Sequence, residues 1–348
     1  MPTPFTEASE LMVAFGLLGV DPQRSTFQQI NTVFAGTLTI ASYNKLLNEL
    51  QNDGKKKTYR LLWEIGQKIY VHHIGNTHIS KIEWQGPQRQ RSTISVSKDL
   101  CVNNNIYISV KTDSNVIFNL SPYNLFCSVP KGEALAANEA NWFLYIAPSE
   151  CQYLYDFIRI NFIDMQLPSH VEEFENSAKK QTRKNIQAWL KTLNDDQQAT
   201  FKQLYINMCH EVAQKSAHLF MQHLRGVRRT HMRSVGELIL KYFLRLNSTP
   251  YLLVGIDSKK PFAVNVPDMT SWFRDWNFDS INALPDLSRN QSVVNFVLKF
   301  KNRHSEEKIE LPYHAEIRWS HGKFCGNPEG KLYKDFKWEA VSFFDKLF

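Results

Sequence analysis

Three consecutive asparagines, Asn103-Asn104-Asn105, set between two short alternating segments, constrain this chain more than any other stretch of it. Asparagine tolerates left-handed backbone, and the flanking Leu100-Cys101-Val102 and Ile106-Tyr107-Ile108 are the apolar, β-branched and aromatic residues of strands. Residues 97–111 therefore read as a β-hairpin. Centring the turn on Asn104 puts Asp99 opposite Ser109, with Lys111 one step further along the same face, because strand side chains alternate with period two. A carboxylate and an ammonium then converge on one patch of sheet.

A chain of 348 residues is long enough for two or three domains, and its formal charge of +7 points to an acidic partner, of which nucleic acid is the commonest. The five cysteines are odd in number and form no CxxC pair, so they are expected as buried thiols in a reducing compartment. Residues 1–20 carry Glu7 and Glu10 and lack a basic region ahead of their apolar residues, which argues against a signal peptide. No apolar run approaches the roughly 20 residues of a membrane span. A cytoplasmic protein with no membrane partner is expected.

Helical spacing of apolar residues covers 27–50, stopping at Gly54, and 59–70, which carries Glu64. Strands are expected over 79–84 and 93–96, with a basic, polar loop over 85–92 between them, and 115–120 extends the sheet. Helices then dominate at 183–193, 197–224 and 234–246, interrupted by Arg225-Gly226-Val227-Arg228-Arg229. The remainder is strand-rich, at 251–256, 262–266, 292–300 and 316–319. The expected fold is α/β: a mixed sheet flanked by helices over 1–165, a helical region over 166–246 and a β-rich region over 247–348.

In carrying Asp99 on one strand and Lys111 on the next, the chain resembles the PD-(D/E)XK nucleases, and among them type II restriction endonucleases. Their core is an α/β sheet bearing an Asp and then an acid-x-Lys on the adjoining strand. Here Lys98 replaces the usual Pro, and Ser109 stands where the second acid is expected. The resemblance implies a restriction-endonuclease-like fold and Mg²⁺-dependent hydrolysis of double-stranded DNA, with Asp99 as metal ligand and Lys111 positioning the attacking water. It also implies a homodimer, since such enzymes cut both strands. Some members supply the missing acid from the preceding helix, which nominates Glu64 as the second metal ligand, with Glu83 and Asp113 behind it.

Three stretches are candidates for gripping the duplex. The 81–92 segment mixes Arg89 and Arg91 with glutamines, residues able to make paired hydrogen bonds to base edges. Arg225, Arg228 and Arg229 present guanidinium groups suited to phosphates. Residues 316–331 combine Arg318, Ser320, His321, Lys323 and Asn327 as donors with glycines that allow close backbone approach. A rival nuclease placement pairs Pro267-Asp268 or Pro285-Asp286 with Glu316-Ile317-Arg318, but arginine holds its proton too tightly to exchange it. His210, His218, His223 and His231 lack the spacing of a helical zinc pair, and no phosphate-binding loop, dinucleotide fingerprint or serine-hydrolase elbow occurs. The alternatives are a nucleic-acid-binding protein in which Ser109 marks a dead site, and an interaction protein whose basic face meets an acidic protein.

Overall fold

The computed structural model describes residues 3–75, 77–86, 98–112, 115–137, 141–163, 166–228 and 232–348. Contacts group the chain into two compact units: unit 1 is Met1–Ser114, Arg245–Trp276 and Lys337–Phe348, and unit 2 is Asn115–Leu244 and Asn277–Phe336. Three consecutive segments were expected. Both units mix helices with strands, so the change of composition along the chain follows element type and not unit boundaries.

Unit 1 opens with α1 (Pro4–Leu18), α2 (Phe27–Asn31), α3 (Ile40–Leu50), α4 (Lys56–Ile69), β1 (Ile82–Trp84), β2 (Leu100–Val102) and β3 (Ile106–Thr112). Unit 2 begins with β4 (Val116–Leu120) and continues through α5 (Val129–Lys131), α6 (Trp142–Ile146), α7 (Pro148–Asn161), α8 (Val171–Ser177), α9 (Lys180–Trp189), α10 (Asp195–Gly226) and α11 (Met232–Phe243). The chain returns to unit 1 for β5 (Tyr251–Asp257), β6 (Lys260–Val266) and α12 (Met269–Asp275). It then supplies β7 (Trp276–Pro285), β8 (Ser292–Asn302), β9 (Lys308–Trp319) and β10 (Pro328–Lys334) before closing unit 1 with β11 (Asp345–Lys346). The single helix expected over 27–50 is two helices, because Ala35 and Gly36 turn the chain at φ +49° and +75°.

The sheet of unit 1 runs β1-β2-β3-β5-β6-β11. Its neighbours are antiparallel except β3 and β5, which are parallel. In the hairpin, Leu100 faces Ile108, Cys101 faces Tyr107 and Val102 faces Ile106, the register expected from a turn centred on Asn104. Asn103 and Asn104 adopt φ +48° and +62°, as asparagine allows. The Asn103 side chain also anchors the incoming chain: its Oδ1 accepts the Ser80 and Lys81 amides at 3.0 and 3.2 Å, and its Nδ2 donates to the His78 carbonyl at 2.9 Å.

One face of this sheet is covered by helices. Leu62, Ile65 and Ile69 of α4 and Leu11, Phe15 and neighbours of α1 join a core with Leu100, Val102, Ile108 and Val110. α1 and α4 cross at two glycines. A Cβ on Gly16 would meet the Trp63 carbonyl oxygen at 2.0 Å, and one on Gly66 would meet the Val13 oxygen at 2.3 Å. Backbone thus packs on backbone at the centre of the unit.

The sheet of unit 2 runs β4-β10-β9-β8-β7, with β4, β10, β9 and β8 paired antiparallel. Phe296 of β8 meets Phe220 of α10 and Phe243 of α11 at ring distances of 5.2 and 5.3 Å. The 32-residue α10 starts from a capping box in which Asn194 and Gln197 satisfy each other's backbone amides.

The glycine crossing gives a first test. Gly66→Ala gains about 1 kcal/mol of helix propensity, yet its methyl meets unyielding backbone, so a net loss of about 1–3 kcal/mol is expected in urea unfolding. Gly226→Ala, at the end of α10 with nothing within 4 Å of the added carbon, is the neutral control.

Candidate functional site

Asp99 immediately precedes β2, and its carboxylate is 1% exposed. Its Oδ2 accepts the Val110 amide at 2.6 Å and the Ser109 hydroxyl at 3.2 Å, while the Asp99 amide donates to the Ile108 carbonyl at 2.8 Å. Ser109 is fully buried, and Arg245 Nη2 reaches its Oγ at 3.4 Å. Arg245 is itself buried and holds a left-handed backbone at φ +59°, an uncommon conformation for a long side chain. Its carbonyl accepts the Tyr251 hydroxyl at 3.2 Å. Burial pushes the Tyr251 hydroxyl up, Arg245 draws it down, and Asp99 adds a smaller upward push, so both charges act on this one phenol.

Lys111, half-buried in β3, pairs with Gly255 of β5. A Cβ on Gly255, at φ +152°, would lie 1.6 Å from the Lys111 carbonyl oxygen. Only glycine lets the two strands approach so closely there. Beside Asp99, Lys98 places its ammonium 3.3 Å from the centre of the Tyr107 ring and 2.7 Å from the Thr249 hydroxyl, and burial lowers its pKa.

The structure therefore brings Asp99, Ser109 and Lys111 to one sheet face. Glu64 is elsewhere. Asp99, Ser109 and Lys111 alternate with Leu100, Ile108 and Val110, which face the helices, whereas Glu64 lies on α4, which covers that opposite face. The Glu64 carboxylate pairs with Arg60 at 3.0 Å. Glu83 pairs with Lys81 at 2.5 Å, and Asp113 lies outside the described residues. Glu10 of α1, which the sequence offered only as an argument against a leader peptide, is buried and accepts the Trp84 indole at 2.9 Å.

Mg²⁺ takes several oxygen ligands in near-octahedral geometry. The Asp99 carboxylate already accepts an amide and a hydroxyl, with a buried guanidinium on the same hydroxyl. Among the described residues no group of three or more His, Cys, Asp or Glu converges as a metal would require. The residues at Asp99 do not fit the ion.

Of the residues expected to touch DNA, Arg89, Arg91 and Arg229 lie outside the described residues. Arg225 lies in the last turn of α10, and it and Arg228 are exposed. Arg318 is partly exposed, reaches the Glu316 carboxylate at 3.4 Å and stands across the strands from Glu329, so its charge serves the sheet. The rival aspartates serve local backbone: Asp268 caps α12 through the Ser271 amide at 2.9 Å, and Asp286 accepts the Ser288 amide at 3.1 Å.

The loop of residues 320–327, between β9 and β10, lies against α9. Gln187 donates to the His321 carbonyl at 2.6 Å, and Arg183 donates to the Phe324 carbonyl at 2.8 Å while pairing with Glu175 at 2.9 Å. Burial raises the Glu175 carboxyl against the pull of Arg183. Two clefts result. One, of about 660 Å³, is lined by Lys180, Arg183, Lys184 and His321 among others; the second, of about 940 Å³, by Lys191, Lys202 and Lys323. Sequence reasoning found His321, Lys323, Ser320 and Asn327 through their density of donors, but read α9 only as a helix. The signal available there was Lys180, Lys184 and Gln187 at helical spacing.

Because Asp99 and Arg245 are buried around one hydroxyl, Asp99→Ala strips the Val110 amide and the Ser109 hydroxyl of their acceptor beside a buried guanidinium. A loss of about 3–5 kcal/mol is expected in denaturant unfolding, against a smaller loss for Ser109→Ala. No family model matches the chain, and neither does any curated protein or solved structure.

Proposed function

We propose that the protein is an endonuclease acting on double-stranded DNA, of the type II restriction-enzyme kind, with hydrolysis organised on the β2–β3 face of unit 1. The observation that carries this reading is the β2–β3 register, which sets Asp99 opposite Ser109 and Lys111 further along the same face of a mixed sheet. That is the PD-(D/E)XK pattern with serine in place of its second acid. The Lys111 ammonium suits the developing charge of a phosphodiester under attack by water, as the water oxygen bonds to phosphorus, one ester P–O bond breaks and the proton the water gives up ends on the departing oxygen. No step is assigned to a metal ion, because the residues around Asp99 do not form a site for one. Cutting both strands calls for a homodimer. The free thiols, four of the five buried, suit a reducing cytoplasm. Among the described residues no helix is long and apolar enough to cross a membrane.

The burial of Asp99 favours a second reading, in which unit 1 binds without cutting. Incubating the protein with unmethylated plasmid DNA, with Mg²⁺ and with EDTA, separates the two. Discrete fragments, with Mg²⁺ or with EDTA, are expected of the enzyme. Lys111→Ala should then lower cleavage at least about 10²-fold while DNA binding persists. Lys111 is the informative position, since Asp99 also holds the fold. Binding without fragments under either condition would leave the second reading standing.

A further inference from the structure

We propose that α9 and the loop of residues 320–327 form a phosphate-binding track for the backbone of duplex DNA, with one cleft on each side of the Gln187–His321 contact. This rests on the reading of the protein as DNA-acting and names where the duplex is held.

The two clefts adjoin, since Gln187 lines both. Each carries three basic side chains against one carboxylate: Lys180, Arg183 and Lys184 against Glu175 in the first, and Lys191, Lys202 and Lys323 against Asp195 in the second. Lys180, Lys184 and Gln187 share a face of α9 at i, i+4 and i+7, and Lys191 follows in the turn beyond the helix. The ten-residue helix is about 15 Å long, and a duplex strand carries one charge per 3.4 Å of axis, so the track spans on the order of four phosphates.

The cleft lysines differ from a set of paired lysines elsewhere on the surface. Lys55, Lys81, Lys215, Lys299 and Lys331 each hold a carboxylate within 3.1 Å. Among the described residues none of Lys180, Lys184, Lys191, Lys202 and Lys323 forms an ion pair. The Lys323 ammonium instead lies 4.3 Å from the Tyr205 ring centre and 4.9 Å from that of Phe201. Burial lowers its pKa, a cost that an arriving phosphate offsets.

The walls are also set in advance. Arg183, whose side chain is 14% exposed, spends its guanidinium on Glu175, on the Phe324 carbonyl and on the Glu175 carbonyl at 2.9 Å. It is a positioning residue, holding the loop on the helix so that the exposed lysines need not be ordered by the ligand. Gly322, at φ +98°, brings the loop so close that a Cβ would lie 2.0 Å from Gln187 Nε2.

The test is the salt dependence of binding to a short fluorescent duplex, read by anisotropy. Lys180→Ala/Lys184→Ala and Lys191→Ala/Lys202→Ala are each expected to weaken binding and to reduce the slope of log K against log salt by about 0.9 per lysine. Lys215→Ala/Lys299→Ala removes the same charge at paired positions and is expected to leave the slope unchanged. All these side chains are on the surface, and thermal melts verify that the fold is kept. Cleft variants that track the paired-lysine control overturn the track while leaving DNA action intact. Absence of wild-type binding to any DNA at low salt overturns both. An RNA duplex bound more tightly, with the same loss of slope in the cleft variants, overturns the commitment to DNA.

Discussion

Unit 1 depends on a pairing made across a long excursion of the chain. β3 ends, the chain builds the whole of Asn115–Leu244, and only then does β5 return to lie parallel to β3. A parallel pair cannot be closed by a tight turn, and a contact so distant in sequence is reached late and at the expense of chain entropy. Two features hold it. Gly255 lets β5 approach the Lys111 carbonyl, and Arg245, the first residue back in unit 1, sets its guanidinium on the Ser109 hydroxyl that Asp99 also engages. The residues that look most like chemistry are thus also the clasp that receives the returning strand.

That double duty explains why sequence and structure agree in some places and part in others. The hairpin register was legible because it is local: asparagines that accept positive φ, alternating strand residues and a short turn suffice to align Asp99 with Ser109. The face on which Glu64 lies was not. Alternation sorts residues into two faces, but it does not say which one a helix will cover, and α4 covers the face opposite Asp99. The break in the expected 27–50 helix turned on Ala35, which nothing in its side chain marks for positive φ. The first helix, α1, went unread because the opening residues were weighed as a leader and not as core. Unit boundaries were illegible for a related reason: they fall where contacts thin out, and no linker composition marks them.

Arginine and lysine divide the labour of a basic chain. Arg183, Arg245 and Arg318 are each engaged with carboxylates, hydroxyls or carbonyls of their own unit, as a planar fork with several donors is suited to do. The lysines along α9 instead extend from the surface. A sequence reading that gives recognition to the arginines therefore credits some that are structural, and overlooks lysines that are not. Net charge cannot draw this distinction, since it counts a guanidinium spent inside the fold the same as an ammonium facing solvent.

The glycines at the crossing of α1 and α4 limit how this protein can vary. A side chain added at a packed interface is often accommodated when a neighbour shrinks in compensation. Here the obstacle to a carbon on either glycine is the main chain of the other helix, which has nothing to give up. Relief would require one helix to move away, taking Leu62, Ile65 and Ile69 off the strands beneath them. Gly16 and Gly66 are therefore closed to pairwise exchange, and descent from a common ancestor should leave them fixed while the loops around them drift.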